Sequence, residues 1–301
     1  MTDLGAKIQQ AEGDIALAMM GAKVSALSIS ECLSALVYGQ KGCGKTWFAG
    51  TAGDRNLFIT VGNSISGLKT LRSPLFKEKV GADPFVVELH EVLDEDRMPK
   101  KATLLDQVCD TIDWWLANRD DDFDTVTIDD ATNTRRAAMF KGFEINQTAG
   151  LSEGWAKTAK YSIPMPGIQD YGQEMKIMQW FVDTYLEILS ARGKNFLFLA
   201  HERYTFKKQL NSKGDPIIGS ADIIDKIRPA FVGKTLPDDI TVNFDEVWHI
   251  KKKGTGDAAV PALDCYGDNQ ILASTRHAGI MKAFEPRPNF LEFLERIKKA
   301  S

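Results

Sequence analysis

Apolar positions along the chain fall into short runs, separated by stretches in which they recur every three or four residues. The runs at 33–38, 57–61, 84–89, 123–128 and 196–200 have the length and composition of strands covered on both faces. Residues 104–117 carry Leu104, Leu105, Val108, Ile112 and Trp115 on one helical face, and residues 175–189 carry Ile177, Trp180, Phe181, Tyr185 and Leu189. Each of these helices precedes a strand, as a βαβ crossover requires, so the alternation predicts an α/β fold with a mainly parallel central sheet flanked by helices. The later runs at 244–250, 262–266 and 271–275 predict antiparallel edge strands near the C-terminus, closed by a helix over 289–299. At the start, Ala11, Ile15, Leu17 and Met20 predict a helix over 8–22, packed on the main body or on a neighbouring subunit.

Two regions break the pattern. Gly142, Gly150, Gly154, Pro164, Pro166 and Gly167 interrupt 133–171, and further Gly and Pro residues interrupt 202–243. Irregular segments this long inside one domain are functional more often than idle. The expected organisation is an N-terminal helical segment over 1–30 and one main domain over 31–301, with insertions near 133–171 and 202–243.

Composition narrows the classes. With 44% apolar and 26% charged residues in 301, the chain has the balance of an ordinary globular protein. A net charge of −4 supplies no global field for nucleic acid or an anionic membrane, so any DNA contact needs a local patch. Cys32, Cys43, Cys109 and Cys265 lack the close pairing of a zinc or redox motif, which suits a reducing cytoplasm. No basic-then-apolar leader opens the sequence and no apolar run reaches about 18 residues, so no membrane association is expected.

Chemistry concentrates after the first strand, at Gly39-Gln40-Lys41-Gly42-Cys43-Gly44-Lys45-Thr46. This is a phosphate-binding loop in the right context, between a strand and a helix. Its glycines let successive backbone N–H groups converge on a pyrophosphate, Lys45 brings a mobile charge to the β- and γ-phosphates, and the Thr46 hydroxyl suits Mg²⁺. ATP and Mg²⁺ are the expected ligands. The strand Thr125-Val126-Thr127-Ile128-Asp129 ends in a carboxylate that would hold the magnesium. Asp130 either polarises an attacking water or only caps the next helix. His201 emerges from the apolar run Leu197-Phe198-Leu199-Ala200 at the same sheet edge, as a γ-phosphate sensor or a structural hydrogen-bonder. Nothing raises His90, His249 or His277 above a structural role.

Taken together, the loop, the Thr125–Asp129 strand, Phe198-Leu199-Ala200-His201-Glu202-Arg203, Gly233-Lys234, Phe244-Asp245-Glu246-Val247 and Thr275-Arg276 resemble the phage nucleotide-binding proteins with a RecA-like P-loop NTPase core. The resemblance runs over most of 33–297. Members include recombinases that bind single-stranded DNA and anneal or pair strands. It implies an ATPase working as an oligomer or filament, with DNA-binding loops in the two irregular regions and a cation from the adjacent subunit completing the site. A basic residue recurs late in such chains, making Arg276 the first candidate and Lys282 the second. The alternative for Arg276 is a surface ion pair with a carboxylate such as Glu285. One feature departs from the pattern: the strand at 57–61 leads into Gly62-Asn63-Ser64 with no carboxylate, leaving Glu88, Glu91 or Asp130 to take that part.

The segment after His201 interleaves cations and aromatics in Arg203, Tyr204, Phe206, Lys207, Lys208 and Lys213. Cations neutralise phosphates while rings stack on unpaired bases, so the segment suits single strands without sequence preference. Arg135, Arg136, Lys141, Trp155, Lys157, Lys160 and Tyr161 repeat that composition. The alternative is a β-hairpin of solvated lysines turning at 211–214. Two functions therefore compete: an ATP-dependent single-strand DNA-binding recombination or annealing protein, and a nucleotide-switched assembly or loader ATPase with a protein partner. A small-molecule kinase is weaker, because no arginine-rich lid is evident.

Overall fold

The computed structural model describes residues 32–62, 65–92, 102–151, 155–157, 162–209, 217, 221–231, 233, 236–254 and 259–300. The helix expected over 8–22, the turn at 211–214 and Lys213 lie outside them, as do Lys160 and Tyr161. The strands are β1 (Ser34–Gly39), β2 (Asn56–Val61), β3 (Phe85–Leu89), β4 (Thr125–Asp129), β5 (Trp155–Lys157), β6 (Ser162–Pro164), β7 (Asn195–Lys207), β8 (Ile223–Pro229), β9 (Glu246–Lys253), β10 (Val260–Asp264), β11 (Ser274–Thr275) and β12 (Phe284–Pro286). The helices are α1 (Lys45–Gly50), α2 (Ile65–Leu71), α3 (Pro74–Lys79), α4 (Leu104–Asn118), α5 (Ala131–Thr148), α6 (Ile168–Ala191), α7 (Leu236–Thr241) and α8 (Phe290–Ala300). None of the described helices is long and apolar enough to cross a membrane.

One sheet runs in the order β12-β10-β9-β1-β7-β4-β2-β3, with β11 paired to β9 and β8 to β7. Side chains alternate between its faces, as strand geometry demands. Leu36 and Tyr38 of β1 enter a core built with α4, α5 and α6, while Ala35 and Val37 enter a second core built with α1, α3 and α8. Helices on both faces explain why the central strands read as unbroken apolar runs rather than alternating ones.

Strands β1, β2, β3, β4 and β7 are mutually parallel, as the alternation predicts. The run at 244–250 differs from its expectation: β9 lies parallel to β1, and antiparallel pairing begins only with β10, β11 and β12. Residues Glu246 to Ile250 are all buried, which is the signature of a strand covered on both sides rather than of an edge.

The first irregular region is largely helix. α5 escapes the periodicity reading because, apart from Met139 and Phe143, its buried face is small or polar, with Thr134, Ala137, Ala138, Gly142 and Asn146. Small residues let α6 approach closely: a Cβ on Gly142 would lie 3.2 Å from the Cβ of Gln173. α6 starts well before residue 175, where Asp170 Oδ2 accepts from the Gly167 N–H at 2.8 Å and Oδ1 accepts from Asn146 Nδ2 at 2.6 Å. In the second region β7 continues beyond Ala200 to Lys207 and pairs antiparallel with β8, forming a hairpin.

This topology brings three strand ends together. β7 separates β1 from β4, with Gly39 opposite His201 and Leu199 opposite Asp129. The C-terminal ends of parallel strands are where such sheets hold ligands.

Candidate active site

The loop leaving β1 takes its shape from two close approaches. A Cβ at Gly39 would stand 2.1 Å from the Ile250 carbonyl oxygen, so only glycine lets β9 pair there. At Gly44 the backbone is left-handed (φ 109°), and a Cβ would meet Pro261 of β10 at 2.9 Å. The loop then turns into α1. Lys45 is buried, and its Nζ donates to the carbonyls of Gly39 at 2.8 Å and Gln40 at 2.9 Å, which folds the ammonium back across the loop.

Thr46 and Asp129 meet directly: Thr46 Oγ1 donates to Asp129 Oδ2 at 2.8 Å. Burial pushes the Asp129 carboxyl up to about 6, the Asp130 charge adds to this, and the Thr46 hydroxyl and Lys45 ammonium pull the other way. Asp130 takes the capping part and also faces His201. Its Oδ1 caps α5 by accepting from the Asn133 N–H at 2.8 Å, while its Oδ2 lies 3.4 Å from His201 Nε2. These groups line one cleft of about 1140 Å³ with Lys41, Gly42, Gly44 and Lys45.

The set fits a hard divalent cation. Two neighbouring carboxylates and a hydroxyl supply oxygen donors, and a cation would relieve the charge that raises Asp129. Among the described residues no group of three or more His, Cys, Asp or Glu is placed to hold a metal ion, so phosphate and water must supply the remaining ligands, as Mg²⁺ prefers. Thr46 and Asp129 would hold Mg²⁺, which when bound offsets charge on the phosphate oxygens.

Of the eight loop residues, Gly39, Gln40 and Cys43 do not line the cleft. The Cys43 side chain is buried in the second core, and Gln40 Nε2 donates to the Tyr204 hydroxyl at 2.6 Å. Glu88 pairs with Arg72 at 2.9 Å, and Glu91 accepts from the Thr103 N–H at 3.0 Å beside the start of α4. Neither lines the cleft, which leaves Asp130 as the carboxylate that the fold brings beside Asp129.

Arg276 lies at the opposite end of the strands, beside the starts of β9 and β1. Its Nη2 donates to the Val242 carbonyl at 3.0 Å and its Nη1 stands 3.5 Å from Asp245, whose Oδ2 accepts from the Ser34 N–H at the beginning of β1. Within one chain it is therefore no part of the phosphate site. The carboxylate beside it is Asp245, because Glu285 pairs with Arg296 at 2.7 Å and also accepts from the Lys282 N–H.

The cations after His201 are mostly engaged. Arg203 donates to the carbonyls of Phe231 at 2.9 Å and Gly233 at 2.7 Å. Lys207 pairs with Asp225 at 2.9 Å and Lys208 with Asp222 at 2.7 Å. Tyr204 bonds Glu202, whereas Phe206 is 60% exposed, 6.4 Å from the Tyr204 ring.

Sequence reasoning missed Gly67 and Asn133, which also line the cleft. A Cβ on Gly67 would stand 2.7 Å from Asp129 Oδ2 and 3.1 Å from Thr46 Oγ1. Its signal was a glycine inside a helix, a placement that otherwise costs about 0.5–1 kcal/mol. His249 keeps the structural role expected of it. Its ring nitrogens lie 2.8 Å from Glu202 Oε2 and 3.3 Å from Asp264 Oδ2, and no local pattern announces that arrangement.

Compared with known proteins, residues 32–278 match the AAA_24 family, described as an AAA domain. No curated protein matches the chain.

Proposed function

Since the chain belongs to the AAA domain family of P-loop ATPases, we propose that it binds and hydrolyses ATP with Mg²⁺ and couples this to binding single-stranded DNA in recombination or annealing. The observation that carries the ATPase reading is the convergence of Lys45, Thr46, Asp129, Asp130 and His201 in one cleft. Lys45 exchanges its two loop carbonyls for phosphate oxygens. Asp130, tethered at one oxygen by Asn133, takes the proton of the water that attacks the γ-phosphorus as the bond to the bridging oxygen breaks. His201 beside it reports the γ-phosphate to β7, which continues directly into the β7–β8 hairpin. Phe206 at the exposed end of that strand supports base stacking.

Arg276 would complete the cleft of an adjacent subunit in an oligomer. That role requires turnover to reappear when Arg276→Ala and Lys45→Ala chains, each inactive alone, are mixed in a co-assembling sample; its absence there removes Arg276.

A second reading has its own support. Lys207 and Lys208 are already paired with acids, and the net charge is −4, both of which suit a loader ATPase with a protein partner. The deciding experiment is single-strand binding by the full chain across a salt series, with and without ATP. The DNA reading requires ATP-dependent binding that weakens with salt; no binding at low salt with ATP leaves the protein partner.

A further inference from the structure

The cleft does not end at the loop. Thr46, Asp129 and His201 occupy the side of β1 toward β7 and β4, and the lining continues to the other side, to Pro261 of β10 and to Arg287 and Pro288 between β12 and α8. The lining also includes Leu75 and Val80, from α3 and its end. Leu75 is 55% exposed, an apolar side chain left open where it lines a cavity.

Arg287 is the only described non-glycine residue with positive φ, at 50°. That conformation is unfavourable for an L-residue and persists only where the surroundings fix it. They do so here from both sides. The Arg287 N–H donates to the Pro261 carbonyl at 2.8 Å, and Pro261 itself backs the phosphate loop at Gly44. On the following side the Phe290 N–H donates to Thr51 Oγ1 at 2.7 Å, and the Phe290 ring packs 6.1 Å from Phe48 of α1. Among the described residues no carboxylate pairs with the Arg287 guanidinium, which is exposed. The segment thus holds an arginine in a fixed, strained position over a wall continuous with the loop.

From this geometry we infer that Arg287, together with Pro261, Pro288, Leu75 and Val80 of the same lining, forms the nucleoside subsite of the cleft. The inference rests on the phosphate-site reading above. Thr46 and Asp129 fix the metal-bearing end of a nucleoside triphosphate on the β4 side, so its base and ribose must extend toward Arg287. The apolar side chains in that lining accept a heteroaromatic ring, and a guanidinium stacks on its face.

Calorimetric titration of the full chain with Mg²⁺-ATP and with Mg²⁺-tripolyphosphate tests this, because the second ligand has the phosphates without the nucleoside. Arg287→Ala should weaken ATP about tenfold and leave tripolyphosphate within about twofold. Arg287→Gly, which accepts positive φ without strain, should show the same selective loss and melt no lower than wild type. Lys45→Ala should weaken both ligands. Wild-type ATP affinity in Arg287→Gly overturns the assignment, as does an equal loss for both ligands, which would make Arg287 a phosphate contact. A wild-type chain that binds neither ligand removes the phosphate reading itself, and the nucleoside subsite with it.

Discussion

The nucleotide cleft and the β7–β8 hairpin carry charge in opposite ways. In the cleft, Asp129 is 6% exposed beside a second acid, and its carboxyl is driven up to about 6. In the hairpin, Lys207, Lys208 and Arg203 all have partners, and the lysines and their acids are open to water. The cleft keeps a carboxylate in a state that folding disfavours despite Thr46 and Lys45, and a bound divalent cation would relieve it further. Among the described residues of the hairpin these three cations are already engaged, so a polyanion that uses them must displace contacts already made. Chemistry is expected where a group is held against its preference, and modulation of binding where it is satisfied.

The sharpest way to break this comparison is Asp129→Asn. A carboxyl raised from 3.8 in the unfolded chain to about 6 in the fold binds its proton more readily when folded. Stability is therefore lost as pH rises through that window and stays lower above it, by ~3 kcal/mol. Asparagine can still accept from Thr46 and carries no charge. The variant should gain up to ~3 kcal/mol of unfolding free energy at pH 7, with the gain shrinking as pH falls toward 5, while Mg²⁺-dependent turnover drops at least ~100-fold. Denaturant melts at several pH values, alongside turnover assays, check both arms. A variant less stable than wild type at pH 7, or one that still turns over, would show that the acid is not held for the metal.

The same contrast explains what was legible in the sequence. The phosphate loop, the Asp129 strand and His201 were readable because each sits at the end of an unbroken apolar run of strand length. The parallel placement of β9 was not, since a buried strand reads alike in either direction until its neighbours are known. α5 was lost because helical periodicity records apolar faces, and apart from Met139 and Phe143 its buried face is alanine, glycine and polar side chains. The nucleoside wall was invisible because Leu75, Pro261 and Arg287 are far apart in the chain and meet only through the sheet order. Pairing hides from sequence too: Lys207 and Lys208 read as free cations because Asp225 and Asp222 come from the opposite side of the hairpin.

On the hairpin the effects should be smaller, and their ranking sharpens the comparison. Tyr204→Ala and Phe206→Ala should each weaken single-strand binding by about 1–3 kcal/mol if the ring stacks on a base. Of the two, Phe206 is the cleaner probe, because Tyr204 also bonds Glu202 and Gln40 and its loss disturbs the phosphate loop. Lys207→Ala and Lys208→Ala should change least. Each lysine is more than half exposed in its ion pair, so its contribution to fold stability lies within about 0–1 kcal/mol. In DNA binding each must first leave an aspartate, so removing one should lower the salt slope by at most about one. Asp222→Asn and Asp225→Asn should then strengthen binding at low salt, because each frees a lysine and removes a negative charge. If the aspartate variants bind DNA no better, or the lysine variants bind as wild type does, the paired lysines are solvated surface and the hairpin's partner is not a polyanion.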